Sequence, residues 1–248
     1  MKRNHVKRAT AGPRSPRVIR IPGEARMNRL WLTGTLTAAS LAASIAGFAF
    51  AQSPHTHQHS FGGAEKWSQI FDDPKRDAWQ KPHEVIQALA LKPDAVIADI
   101  GAGTGYFAAR LANMVPNGRV YAVDTEPDMV RHLTERAKRE GLKNLTAVAG
   151  RPDDPKLPQK ADVVLLVDVY HHVENRERYF RSLAASLKPG GRIAIVDFRL
   201  DSSEGPPKAA RIAPERVAAE LKSAGFELAQ EHVFLPNQYF LVFTTAKR

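Results

Sequence analysis

The chain has 248 residues, no cysteine and a formal charge of +10, and 43% of its residues are hydrophobic. That length and composition suffice for one domain with a full core, while the absence of cysteine excludes disulfides, thiolate metal sites and a cysteine nucleophile. The charge is unevenly spread: residues 1–51 hold nine Lys/Arg and one acid, and the remaining 197 carry 27 basic and 25 acidic side chains. A net +2 over the body of the chain leaves no broad basic field, so no nucleic-acid partner is expected.

The first 51 residues read as a signal peptide or N-terminal extension outside the fold. A basic, proline-containing stretch from Arg14 to Arg29 gives way to an uncharged run from Leu30 to Ser53 that contains Ala49-Phe50-Ala51. A short basic region, an apolar stretch and small residues before a cleavage point are the marks of a secretory signal. Cleavage is expected after Ala51, which would make the rest periplasmic or secreted. An uncleaved run would instead anchor the chain facing outside the cytoplasm, and this segment would be its only membrane contact. Residues 52–81 follow as a linker and N-terminal lid segment. Its Trp67, Phe71 and Trp79, together with Tyr106, are candidates either for a lid over an apolar acceptor or for plain core.

From Pro82 onward, strand and helix patterns alternate. Pro82 to Leu89 begins with Pro and Glu in its first turn and has helical apolar spacing. Strands are predicted near 95–100, 119–123, 145–149, 162–168 and 192–197, and helices near 104–113, 127–140, 175–187 and 214–224. Such alternation means a parallel sheet. Val163-Val164-Leu165-Leu166-Val167 is apolar without alternation, as expected of a strand covered on both faces. Lys188-Pro189-Gly190-Gly191 reads as the turn that closes the fourth helix. Phe226–Val233 and Tyr239–Thr245 read as an antiparallel hairpin.

The most informative segment is Ala95-Val96-Ile97-Ala98-Asp99-Ile100-Gly101-Ala102-Gly103-Thr104-Gly105-Tyr106-Phe107. A strand ends in a turn of three glycines and runs into a helix, so a ligand can lie against bare main chain. The dinucleotide spacing G-x-G-x-x-G is not met, because Tyr106 stands where the third glycine is required. No Lys-Ser/Thr follows for a phosphate loop. The second strand ends in Asp124, 23 residues after Gly101, where an acid can accept from both hydroxyls of a ribose. The competing role for Asp124 is a cap for the helix that starts at Pro127.

At this point the chain resembles the class I S-adenosylmethionine-dependent methyltransferases, in particular their ubiquinone/menaquinone-biosynthesis-like branch, over about residues 82–245 of an expected methyltransferase domain at 82–248. The resemblance implies an α/β Rossmann-like fold: a seven-stranded, mostly parallel sheet with an antiparallel last strand and helices on both faces. It implies S-adenosyl-L-methionine as cofactor, with Gly101, Gly103, Gly105 and Tyr106 beside its amino-acid part, Asp99 toward its amino group and Asp124 on its ribose. Asp153 is the closest substitute for the acid the family carries near the adenine, since Arg151 occupies the usual place. Asp168, at the end of the fourth strand, joins this cofactor-binding set.

Methyl transfer from a sulfonium needs alignment more than a strong acid or metal. An O–H or N–H acceptor must still lose a proton, and a base with a pKa near neutrality assists. His171 and His172, just beyond the fourth strand, are the candidate catalytic bases, with helix capping or packing as the alternative. No metal is expected: a catechol-type site would need Asp-Asn after the fifth strand, and here Phe198 follows Asp197. The expected partner is a small-molecule methyl acceptor. The alternative is an exported accessory protein that keeps the fold without turnover.

Overall fold

The computed structural model describes residues 63–246, so the expected signal peptide and residues 52–62 of the linker lie outside the described residues. Three short helices come first: α1 (Ala64–Phe71), α2 (Asp77–Gln80) and α3 (Pro82–Ala88). The alternating part then runs β1 (Val96–Ile100), α4 (Tyr106–Met114), β2 (Arg119–Asp124), α5 (Pro127–Arg139), β3 (Leu145–Ala149), β4 (Ala161–Val167), α6 (Arg176–Leu183), β5 (Leu187–Phe198), α7 (Pro214–Ser223), β6 (Phe226–His232) and β7 (Gln238–Thr245). Among the described residues no helix is long and apolar enough to cross a membrane.

The seven strands form one sheet in the order β3-β2-β1-β4-β5-β7-β6. Strands β1 to β5 pair in parallel, and β7 runs antiparallel to both β5 and β6. This is the fold class that the sequence resemblance implied.

Period-two side-chain alternation divides each central strand between two buried faces. Ile97, Val163, Leu165 and Val196 pack with Leu89, Phe107 and Leu111 on one side. Val96, Ala98, Val164, Leu166 and Ile195 pack with Phe180, Leu183 and Leu221 on the other. Both faces are apolar, which is why these strands carry no polar alternation.

Two elements differ from the sequence reading. The fourth expected helix ends at Leu183 rather than near 187, and Lys188-Pro189-Gly190-Gly191 lies inside the long strand β5. Gly190 has φ 76°, and β4 pairing shifts register between Ala161 and Val163, so the four residues form an irregular strand entry rather than a helix-closing turn. The segment read as linker and lid is helical from Ala64 onward.

Chain order and sheet order reverse between β1 and β4, because β1 connects outward to β2 while β4 connects outward to β5. In an open α/β sheet that reversal leaves a crevice at the carboxyl ends of the strands, the usual place for a ligand.

Candidate functional site

The crevice is built first by the glycine loop. Gly101, Gly103 and Gly105 have φ of 67°, 56° and 92°, a left-handed region that side-chain-bearing residues avoid. The loop turns directly into α4, whose first residue is Tyr106, and Ala102 N–H donates to the Val123 carbonyl at the end of β2. A Cβ on Gly101 would lie 2.4 Å from Val169 Cγ2, so this glycine is also required by the close approach of the β4 end.

Asp124 bridges the loop to α5. Its Oδ2 accepts from Gly103 N–H at 2.8 Å and its Oδ1 from Glu126 N–H at 3.0 Å. The residue therefore ties the glycine loop to the entry of α5, although the N-cap position of that helix is Glu126, and lone pairs remain on both of its oxygens.

Asp99 is buried beside it, with Oδ2 lacking any protein partner. Burial, with the charge of Asp124 added, raises its pKa to about 7, against the opposing influence of Arg76 and the Ala108 N–H. An orphaned buried carboxylate oxygen beside a turn of bare backbone suits a ligand that carries an amino group. The Thr104 hydroxyl in the same loop is likewise buried without a protein partner.

Asp168 follows β4 with φ 58°, an unusual conformation for a non-glycine residue and one typical of functional sites. It belongs to a closed ring of four side chains. Arg76 Nη2 donates to Asp168 Oδ2 at 3.1 Å, and Arg76 Nε donates to Gln80 Oε1 at 3.0 Å. Gln80 Nε2 donates to Gln238 Oε1 at 2.7 Å, and Gln238 Nε2 closes the ring on Asp168 Oδ1. Burial raises the Asp168 pKa to about 7 although Arg76 opposes the rise.

The histidines separate in role. His171 is buried, with Nδ1 at 2.9 Å from both carboxylate oxygens of Asp197 at the end of β5. Burial disfavours its charged form, but the hydrogen bond and charge of Asp197 and the charge of Asp168 outweigh burial and Arg176, so its pKa lies above the ordinary imidazole value. The turn that carries it is pinned from behind: Tyr170 donates to Glu220 on α7 at 2.6 Å, and Arg176 pairs with the same carboxylate. His172 is half-buried, its ring 4.1 Å from that of His171.

Asp99, the three glycines, Tyr106, Asp124, Asp168 and His171 thus gather around the ends of β1, β2 and β4. Asp153 is exposed in the turn after β3 and lines a cleft with Glu174, Asn175, Arg178 and Tyr179. Sequence reasoning named Asp197 only in rejecting a metal site, and missed Arg76, Gln80 and Gln238 altogether.

The aromatic candidates for a lid divide between the two readings. Phe71 stacks on Trp67, and its ring would be 3.4 Å from a Cβ at Gly103, so it covers the loop. Trp79 packs on Phe198 at the end of β5. Tyr106 is core, with its hydroxyl bonded to Asp77.

Replacing Asp124 with Ala is expected to cost about 1–2 kcal/mol of stability, because the backbone N–H groups of Gly103 and Glu126 lose their carboxylate acceptor. On the reading that Asp124 accepts from a ribose, affinity for an adenosyl ligand should fall much further, by roughly 100-fold or more, through the loss of those charge-assisted bonds. Thermal unfolding and calorimetric titration separate the two losses, and equal losses would leave Asp124 with a purely structural role.

Residues 98–193 match the model of a methyltransferase domain family. The protein-L-isoaspartate O-methyltransferase of Aeropyrum pernix is 32% identical over 115 residues, 45% of this chain and 42% of that protein. The trans-aconitate 2-methyltransferase of Rhodopseudomonas palustris is 29% identical over 132 residues, 53% of this chain and 48% of that protein. The chain therefore spans less than half the length of these relatives. A SAM-dependent methyltransferase from Aquifex aeolicus superposes with a TM-score of 0.67 at 24% identity, over 73% of this chain and 97% of its own. The fold is accordingly that of the S-adenosylmethionine-dependent methyltransferases, and the stretch from β1 into β5 matches their methyltransferase domain.

Proposed function

We propose that the chain transfers a methyl group from S-adenosylmethionine to a small organic acceptor, with an acceptor oxygen as the target. The observation that carries the donor half is the unpartnered, buried Asp99 carboxylate beside the Gly101–Gly105 turn and Asp124. The residues present fit the donor: Asp99 for its ammonium, the bare loop for its amino-acid backbone, and Asp124 for its ribose hydroxyls. When bound, the donor supplies a methyl group on a sulfonium, a good leaving group. The chain supplies position, which in a well-aligned pair is worth about 7–11 kcal/mol.

The Asp197–His171 pair supports the choice of oxygen. A carboxylate on Nδ1 holds the ring in one tautomer and leaves the Nε2 lone pair to take a proton from an acceptor hydroxyl. Trp79 and Phe198, whose rings pack at a tilt beside the end of β5, support an acceptor with an apolar or aromatic body. The uncharged run from Leu30 to Ser53, with the expected cleavage after Ala51, supports action outside the cytoplasm after export.

The test is a thermal-shift titration of the full chain with S-adenosylmethionine, S-adenosylhomocysteine and NAD. A ligand at 100 times its dissociation constant adds about 2.7 kcal/mol. That corresponds to a rise of roughly 5–11 °C for a domain of this size. Both sulfur ligands should raise the melting temperature while NAD does not, and no shift with either sulfur ligand would sink the proposal. Release of S-adenosylhomocysteine in a screen of hydroxyl, carboxylate and amine acceptors then identifies the acceptor class.

A further inference from the structure

The donor's amino-acid end is a zwitterion, and the pocket proposed for it is rich in one sign of charge. Asp99, Asp124 and Asp168 line the strand ends, and they can take an ammonium but repel a carboxylate. A cation is well suited to meet that carboxylate. Arg136, which also reaches the loop, is engaged with Asp72, Glu140 and the Thr104 carbonyl.

Arg76 is placed differently. Its guanidinium lies 4.3 Å from the centroid of the Tyr106 ring, directly after the glycine turn, and close enough to Asp99 to lower its pKa. It makes three hydrogen bonds, to Asp168, Gln80 and the Phe71 carbonyl. A guanidinium has five N–H donors in a rigid fork, so it can bind a further carboxylate without releasing those contacts. Only 15% of the side chain is exposed, and water screens such a charge weakly.

We infer that Arg76, held by the ring it forms with Gln80, Gln238 and Asp168, binds the carboxylate of the donor's amino-acid end. This rests on the donor reading given above and extends it to a residue outside the matched domain, on the segment that precedes the alternating fold. The segment that carries Arg76 also carries Phe71, which lies over Gly103.

The test compares two ligands that differ only at this end. S-adenosylhomocysteine has the amino-acid part, and 5′-methylthioadenosine lacks it. With the full chain carrying Arg76→Ala, calorimetric titration should show S-adenosylhomocysteine binding weakened roughly 10- to 100-fold, the worth of a lost charge-assisted contact, with methylthioadenosine affinity unchanged. Arg76→Lys should recover part of the loss, since it restores the charge without the fork. Equal weakening of both ligands would mean that Arg76 only holds the segment in place, and unchanged binding of both would remove it from the pocket; either overturns the inference. A wild-type chain that binds neither ligand overturns the donor reading and this inference with it. Circular dichroism of the Ala variant confirms that the fold persists.

Discussion

Replacing His171 with Asn should lower kcat by about 100- to 10,000-fold, the range typical of a lost general base, and leave affinity for S-adenosylhomocysteine nearly unchanged. The ring contacts Asp197 rather than the glycine loop, so donor binding has little reason to depend on it. The pH profile is the sharper readout. Asp197 and Asp168 raise the His171 pKa above 6.5 against burial and Arg176, so the base is protonated and idle at low pH. The wild-type rate should climb with pH through a midpoint above 6.5, and that limb should vanish in the variant. Stability moves in the opposite sense. A folded pKa above the unfolded one means that the native state binds the proton more tightly. The stabilising contribution is therefore fully present below about pH 6.5 and is lost as pH rises through the folded value. His171→Asn should cost more stability at pH 5.5 than at pH 8.5. A variant with near-normal kcat and an intact acid limb would reduce His171 to packing, and the proposed acceptor chemistry would need another base.

The sequence made the glycine turn and the acids beside it readable and left the rest of the candidate site obscure, for a physical reason. Glycine turns, a strand-ending acid and apolar strand runs are local patterns, and Gly101–Gly105, Asp99 and Asp124 stand where those patterns put them. The ring of Arg76, Gln80, Gln238 and Asp168 is assembled from residues up to 162 positions apart, each polar and unremarkable in its own neighbourhood. Asp72-Asp73-Pro74-Lys75-Arg76-Asp77 reads as a solvated turn, and nothing local shows that one of its charges is folded inward. The partner of His171 is hidden in the same way, because Asp197 reaches it only when β5 lies beside β4. The strand entry at Lys188–Gly191 was misread because Pro and Gly are stronger signals for turns than for irregular strand starts.

Replacing Gly101 with Ala should be among the most destabilising single-methyl changes in the molecule, and two companion variants divide its cost. At φ 67° a side chain costs about 1–2 kcal/mol in backbone strain. The new Cβ would also lie 2.4 Å from Val169 Cγ2, and overpacking of that kind adds about 1–3 kcal/mol. Together these predict a fall in melting temperature of roughly 4–20 °C at about 2–4 °C per kcal/mol. Gly141 shares the φ of 67° but has open space where its Cβ would go, so Gly141→Ala should show the strain alone. Gly101→Ala combined with Val169→Ala should regain the overpacking part and keep the strain, a coupling that a double-mutant cycle measures directly. The outcome bears on function as well as folding. Val169 follows Asp168 and precedes the turn that carries His171, so a collision at Gly101 would be transmitted from the donor loop to the proposed base. If Gly101→Ala costs no more than Gly141→Ala, the end of β4 yields freely, and the two halves of the site are not held against each other by this contact.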